Sequence, residues 1–483
     1  MKFGKNILIY ATADLLGRGI GFITSPFTTR LLTPEQYGVV PLLMAVWTTI
    51  SLIQYGGMDW SYPFFRSQKS DELSKKEIMI TSTYIATFSL LLVWAAFAIF
   101  GLFFPWLQNY ANVKRIELLL FLLGLIPSAL TGWYLFILRY SHHASSYARI
   151  TILGKFAGAV VAIPLMIICA QENRLTVWLI CTGFVSALAI ILSINEFRKY
   201  DIWPYLFDKF NVKLGKKMAR YGLILVPGGM VYATSTVIGR LLVGIYQGTS
   251  GVALLALSLS IGSIILMTKN WFALVWDPYL VEWISTKMPD IYTPKLQKAL
   301  FGLSLFFFPM ACLSILWSDL VISIIYPPYY TEVASLVPYL ILTGAISILS
   351  LVAVATAMIA NNPRFHLPIY SLALLVNFLI SFMLIPRIGV IGAIFGNLFS
   401  EVFILLSWII LGRIILKNLC INWIPPLVFS LISIIFISLY RPGLFLENNI
   451  MIERLIITAI VIFIILTISY KYKILKDIKK VFF

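Results

Sequence analysis

The sequence predicts an all-α polytopic membrane protein of about fourteen transmembrane helices, arranged as two six-helix lobes around a central cavity plus an appended helix pair. Three observations predict it. The 483-residue chain is 60% hydrophobic and only 12% charged, with a mean hydropathy of +0.92, whereas soluble domains carry about 25% charged residues. Apolar stretches long enough to cross the hydrocarbon core, about 20 residues each, recur along its whole length. Most of the 37 Lys and Arg residues fall in every second gap between those stretches. A transmembrane β-barrel would show ten-residue alternating segments instead, and the sequence has none.

The elements follow in order. Span one, 7–31, is preceded by Lys2 and Lys5. Cytoplasmic loops are enriched in Lys and Arg, so the chain starts inside. Spans 37–62 and 77–104 are joined across Arg66, Lys69, Lys75 and Lys76, and spans 114–138 and 146–170 across Arg139 and Arg149. Span 175–197 leads into the longest polar connection, about 198–218, in a basic run from Arg198 to Arg220. Spans 219–246 and 251–284 follow, and Lys287, Lys295 and Lys298 precede span 296–317. Spans 332–360 and 365–385 flank Arg364; spans 388–412 and 420–440 flank Arg413 and Lys417. The last span, 454–470, runs into Lys471, Lys473, Lys476, Lys479 and Lys480. Both termini are therefore expected to be cytoplasmic. The basic connection divides the chain into a lobe at 1–210 and a lobe at 211–418, leaving the pair and basic tail at 419–483.

The net charge of +17 is accounted for by inside loops, which suit anionic headgroups and not nucleic acid. No gap is long enough for an appended catalytic domain, so no enzyme is expected. The first apolar stretch lacks a small-residue cleavage site, so no cleavable signal is expected. Cys169, Cys181, Cys312 and Cys420 lie in or beside apolar segments and read as small core hydrophobes. With His142, His143 and His366 they form no metal pattern, and neither metal nor cofactor is expected.

Charges inside spans point toward function. Arg18, Lys155 and Lys269 lie deepest, and each costs about 2.5–3.5 kcal/mol at mid-bilayer on insertion scales. Asp14 stands four residues before Arg18, the favourable order for an ion pair on one helix. Lys155 and Lys269 have no acid within a turn. Arg240 either enters a cavity or snorkels to the outer surface. Among acids, Asp59 closes span two near Arg66. Asp14, Asp277 and Glu401 are candidates for ion coupling, with salt bridges to neighbouring helices as the competing reading. The cavity is thus net positive and suits an anionic amphiphile, with phosphate or pyrophosphate held by Arg and Lys. Trp271 and Trp276 serve either as sugar platforms or as interfacial anchors.

A faint repeat supports two halves. Thr29-Arg30-Leu31-Leu32 and Gly239-Arg240-Leu241-Leu242 both fall near the outer end of the first helix of their half. Parallel repeats are a transporter architecture.

Thr29-Arg-Leu-Leu-Thr-Pro-Glu-Gln-Tyr-Gly38 resembles the hallmark of the polysaccharide biosynthesis and export proteins. These are the Wzx-type O-antigen flippases of the multidrug/oligosaccharidyl-lipid/polysaccharide exporter superfamily. The Gly57-to-Arg66 stretch, Ala219-Arg-Tyr-Gly-Leu-Ile-Leu-Val-Pro227 and Trp276-Asp-Pro278 are similar to further family segments. The chain departs from the family at Ile224, often Pro there, and at Gly239, often an acid. The stretch from Val243 to Gly251 follows the family pattern only loosely. The resemblance implies a flippase that moves an undecaprenyl-pyrophosphate-linked oligosaccharide across the bacterial cytoplasmic (inner) membrane for O-antigen or capsule assembly, by alternating access. It implies gating or lobe-interface roles for Arg30 and Arg66, with Asp59 beside Arg66, and leaves the drive open between proton and sodium. Implied partners are the lipid-linked oligosaccharide, membrane lipids, the polysaccharide polymerase and chain-length proteins. The alternative is a cation-coupled drug or small-molecule exporter of the same superfamily, which wants acids where this chain's deepest charges are positive. A membrane polymerase or ligase needs an outer catalytic loop that the short gaps do not supply.

Overall fold

A computed structural model of the chain describes residues 2–51, 53–67, 72–103, 106–141, 143–199, 210–285, 289–359, 365–415, 421–440 and 449–471. Within them, the side chains of Asp14, Arg18 and residues 263–285 are not described. The described residues are helices and short turns, with no strand. The helices are α1 (Lys2–Leu31), α2 (Pro34–Ser51), α3 (Met58–Ser67), α4 (Glu72–Phe103), α5 (Trp106–Ala111), α6 (Arg115–Tyr140), α7 (Ala144–Ile168) and α8 (Arg174–Lys199). They continue with α9 (Val212–Ser285), α10 (Pro289–Ile325), α11 (Val333–Ile359), α12 (His366–Ile388), α13 (Val390–Ile415), α14 (Ile424–Leu439) and α15 (Ile450–Lys471). The chain forms two compact units, Met1–Ala253 and Leu254–Phe483.

Nine helices among the described residues are long and apolar enough to cross a membrane, against fourteen expected. Helix α2 has only 18 residues and carries Glu35 in its first turn, and α14 is a shorter apolar helix. Helix α9 breaks at Gly248 (φ 67°, ψ −165°), a conformation essentially restricted to glycine.

Span two, expected as one helix over 37–62, is also broken. Helix α2 stops at Ser51, and Gly56 (φ 59°) and Gly57 (φ 75°) take left-handed turns before α3 begins. Only glycine does this without strain. Two hydrogen bonds brace the turn: the Tyr55 hydroxyl donates to the Ala129 carbonyl at 2.6 Å, and the Ser89 hydroxyl to the Ile53 carbonyl at 3.1 Å.

The α1–α2 corner is set by its own sequence. Thr33 precedes Pro34, whose fixed φ suits the first helical position. The Thr33 amide donates to Gln36 Oε1 at 3.2 Å and the Gln36 amide to Thr33 Oγ1 at 3.3 Å, a reciprocal cap for two otherwise orphaned donors. Arg174, at the start of α8, donates to the Leu31 carbonyl at 2.8 Å. Tyr37 stacks on Trp178 with centroids 6.1 Å apart. A methyl at Gly38 would collide with the Thr249 carbonyl, so glycine is what lets α2 approach that backbone.

The core of the first unit gathers around Tyr62 and Trp133, with Met58, Ile78, Met79, Ile137 and Met218. In the second unit α14 and α15 pack on α10. Ser433 donates to the Phe308 carbonyl at 3.2 Å, and Trp317 Nε1 to Thr458 Oγ1 at 3.1 Å. Arg454 pairs with Asp319, and Tyr440 donates to Glu453 at 2.9 Å. The thiols of Cys181 and Cys312 are buried and that of Cys169 is half-buried.

Candidate functional site

Helix α1 packs along α7, with Gly17 facing Thr151 and Lys155 across the contact. A methyl on Gly17 would lie 3.4 Å from Thr151 Cγ2 and 3.9 Å from Lys155 Cγ. The stem of Lys155 therefore lies against α1 beside the residue that precedes Arg18. Lys155 is exposed, and a lysine on a membrane helix needs water or an anion at its ammonium group. Two of the cations expected from sequence thus belong to neighbouring helices. The side chains of Arg18, Asp14, Lys269 and Asp277, with Trp271 and Trp276, lie outside the described residues.

Arg240 is half-buried on α9, and its Nε has no hydrogen-bond partner among the described residues. Its placement does not mirror that of Arg30. Arg30 is exposed in the last turn of α1, whereas Arg240 lies two turns short of the Gly248 break. The four-residue repeat therefore does not place the two arginines at equivalent helix ends.

The Gly57-to-Arg66 segment forms a joint. Gly57 touches Gly222 backbone to backbone, and a methyl on either would collide with the other residue. About two turns of helix further, Phe64 stacks on Tyr221 at 4.3 Å and 12°. Arg66 sits 5.8 Å from the centroid of the Tyr62 ring, within cation–π reach. Asp59 is half-buried in the first turn of α3, with Oδ1 unpartnered. The helix start favours its negative charge. The structure thus brings Asp59 and Arg66 onto one short helix that is pinned to α9.

In the second unit Glu401 is half-buried on α13. One turn earlier Asn397 accepts a 2.8 Å hydrogen bond from Asn377 of α12, whose Oδ1 accepts one from Ser381 at 3.0 Å. Gly396 makes room: a methyl there would run into Ser381 and Asn377. Asn377 and Ser381 form a polar chain that sequence reading missed. Its only signal is small and amide residues four apart within apolar helices.

Residues 3–283 match a family described as polysaccharide biosynthesis protein. No curated protein matches the chain. Among solved structures, a lipid II flippase MurJ in an inward closed conformation aligns at a TM-score of 0.71 and 15% identity, covering 97% of this chain and 100% of that one. A multidrug resistance MATE family transporter of the MOP superfamily, inward-facing, aligns at 0.60 and 14% identity, covering 85% of this chain and 96% of that one. A Vibrio cholerae MATE transporter in the bent form aligns at 0.54 and 14% identity over the same shares, 85% and 96%.

Proposed function

The chain belongs to the polysaccharide biosynthesis protein family, and we propose that it is a flippase for undecaprenyl-pyrophosphate-linked oligosaccharide units in surface polysaccharide assembly. The observation that carries this reading is Lys155, exposed on α7 and lying against α1 beside Gly17. A cation so placed in a membrane bundle suits an anionic headgroup, and the MurJ-like and MATE-like fold is compatible with moving one. Arg18, Lys155, Lys269 and Arg240 neutralise the pyrophosphate, whose oxygens accept charge-assisted hydrogen bonds from ammonium and guanidinium groups. Arg30, Arg66 and Asp59 act in gating, and Asp14, Asp277 and Glu401 are the coupling candidates. Both termini face the cytoplasm of the inner membrane, and alternating access moves the headgroup outward. The polysaccharide polymerase and chain-length proteins act on the delivered unit.

The test is a clean deletion scored for surface glycan and for lipid-linked oligosaccharide. Loss of surface glycan with full-length units accumulating on the inner leaflet is the expected result. Loss of glycan with no lipid-linked unit made sinks the flippase reading and places the protein in synthesis. Unchanged glycan leaves the second reading, a drug or small-molecule exporter. That reading draws on the MATE fold and is tested by drug susceptibility in a strain lacking the glycan.

A further inference from the structure

A cleft of about 770 Å³ opens in the first unit where the α1–α2 corner, α5 and the Gly248 break meet. Its volume lies within the roughly 300–1,000 Å³ usual for small-molecule sites. Its wall carries two flat rings held parallel: Trp106 and Tyr110, centroids 5.3 Å apart and planes at 9°. Tyr110 is held in place. The Tyr110 hydroxyl donates to the Leu241 carbonyl, and Gly244 leaves room for it, since a methyl there would lie 2.7 Å from Tyr110 Oη. Burial raises the Tyr110 pKa above the ordinary phenol value, so it remains a neutral donor. Trp106 is nevertheless 53% exposed.

Around the rings stand Asn109, Asn112, Glu35 and Ser250. Asn109, Asn112 and Glu35 are exposed, and their side chains make no hydrogen bond or ion pair among the described residues. Amides offer donor and acceptor side by side, the pattern of neighbouring hydroxyls on a pyranose ring. An aromatic face meets the apolar C–H face of the same ring. The lining holds one carboxylate and no Lys or Arg, so it does not suit a phosphate. We infer that this cleft is a carbohydrate subsite that holds the sugar portion of the transported molecule, apart from the cations proposed for its headgroup. By the charge pattern of the connections, the cleft faces the outer side of the membrane. The inference rests on the flippase reading for the identity of the sugar and for the side of the membrane.

The test is saturation-transfer NMR on the full-length protein in nanodiscs. The probe is the repeat-unit oligosaccharide of the producing strain, freed from its polyprenyl carrier by mild acid, and tetraphenylphosphonium is the cationic comparator. Saturation of sugar ring protons is expected, with Kd rising at least tenfold in Trp106→Ala and in the Asn109→Ala/Asn112→Ala double variant. Trp106→Phe keeps a ring face and should retain most of the binding, and melting temperatures show whether each variant is folded. No transfer from the wild-type protein, or equal transfer in folded Trp106→Ala, overturns the subsite. Trp106-dependent binding of tetraphenylphosphonium without sugar binding overturns it in favour of a cation site. The deletion experiment is read separately: lipid-linked units that accumulate there while the free sugar fails to bind here would remove the subsite and leave the flippase.

Discussion

Gly57 and Gly222 meet backbone to backbone, with no space for a β-carbon on either. The contact joins the turn before α3 to α9, two segments separated by more than 160 residues of chain. It sits beside the Phe64–Tyr221 stack, so packing at this joint is both close and aromatic.

Gly57→Ala and Gly222→Ala should each destabilise the protein by about 1–3 kcal/mol, the usual effect of overpacking, with residue 57 worse. There the left-handed φ of 75° adds about 1–2 kcal/mol for a residue with a β-carbon. Gly56→Ala shares the strain, but its nearest neighbour is the Ser89 side chain at 3.3 Å. It should therefore be the mildest of the three. Thermal unfolding in detergent ranks them, and equal melting temperatures for all three and wild type would remove the joint.

Thr33→Ala removes one half of the reciprocal cap and should cost about 1 kcal/mol. Thr33→Ser keeps the hydroxyl and should restore most of that. Hydrogen exchange at the Gln36 amide reads the effect directly, because that amide is the donor to Thr33.

Lys155→Ala should lower surface glycan at least tenfold at equal expression, with lipid-linked units accumulating. Lys155→Arg keeps the positive charge and should retain export. Normal glycan in Lys155→Ala would remove this residue from headgroup binding.

Asp319→Ala leaves the Arg454 guanidinium unpaired, with its side chain 6% exposed and that of Asp319 47% exposed. The loss should be smaller than the ~3–5 kcal/mol of a fully buried pair, because water already reaches Asp319. Asp319→Ala/Arg454→Met should recover stability relative to Asp319→Ala alone. A double variant no better than the single would mean that the pair contributes little.

Gly396→Ala should displace Ser381 and Asn377 and weaken α12–α13 packing more than Asn377→Leu does. Hydrogen bonds between membrane helices average only about 0.6 kcal/mol, whereas backbone approach depends on the small residue. Comparing the two melting temperatures decides which term holds the pair.

The helical class and the positions of most helices were legible because hydropathy dominates a membrane chain. The break in span two was legible only in part. Gly56-Gly57 stood in view, but the apolar run continued through it, and period and hydropathy do not register a positive φ. The motif at 29–38 was recognised as a signature, yet its physical content emerged from contacts: Thr33 with Gln36, Leu31 with Arg174, Gly38 with Thr249. Lys155 was found because a lone cation in an apolar stretch is conspicuous. The cleft was not, because Glu35, the α5 residues Trp106 and Asn109, and Ser250 come from three separate segments, and none is unusual at the end of a membrane helix.

The corner after α1 also has a timetable. Its cap needs only Thr33 and Gln36, so it can form as soon as those residues leave the ribosome. The Arg174 bond to Leu31 spans 143 residues of chain, about 7–30 s of synthesis at 5–20 residues per second. In the first part of that interval, before α5 and α7 are made, the corner is held by its three-residue local contact. Weakening the cap should therefore lower the yield of correctly inserted chains more than it lowers the melting temperature of those that mature.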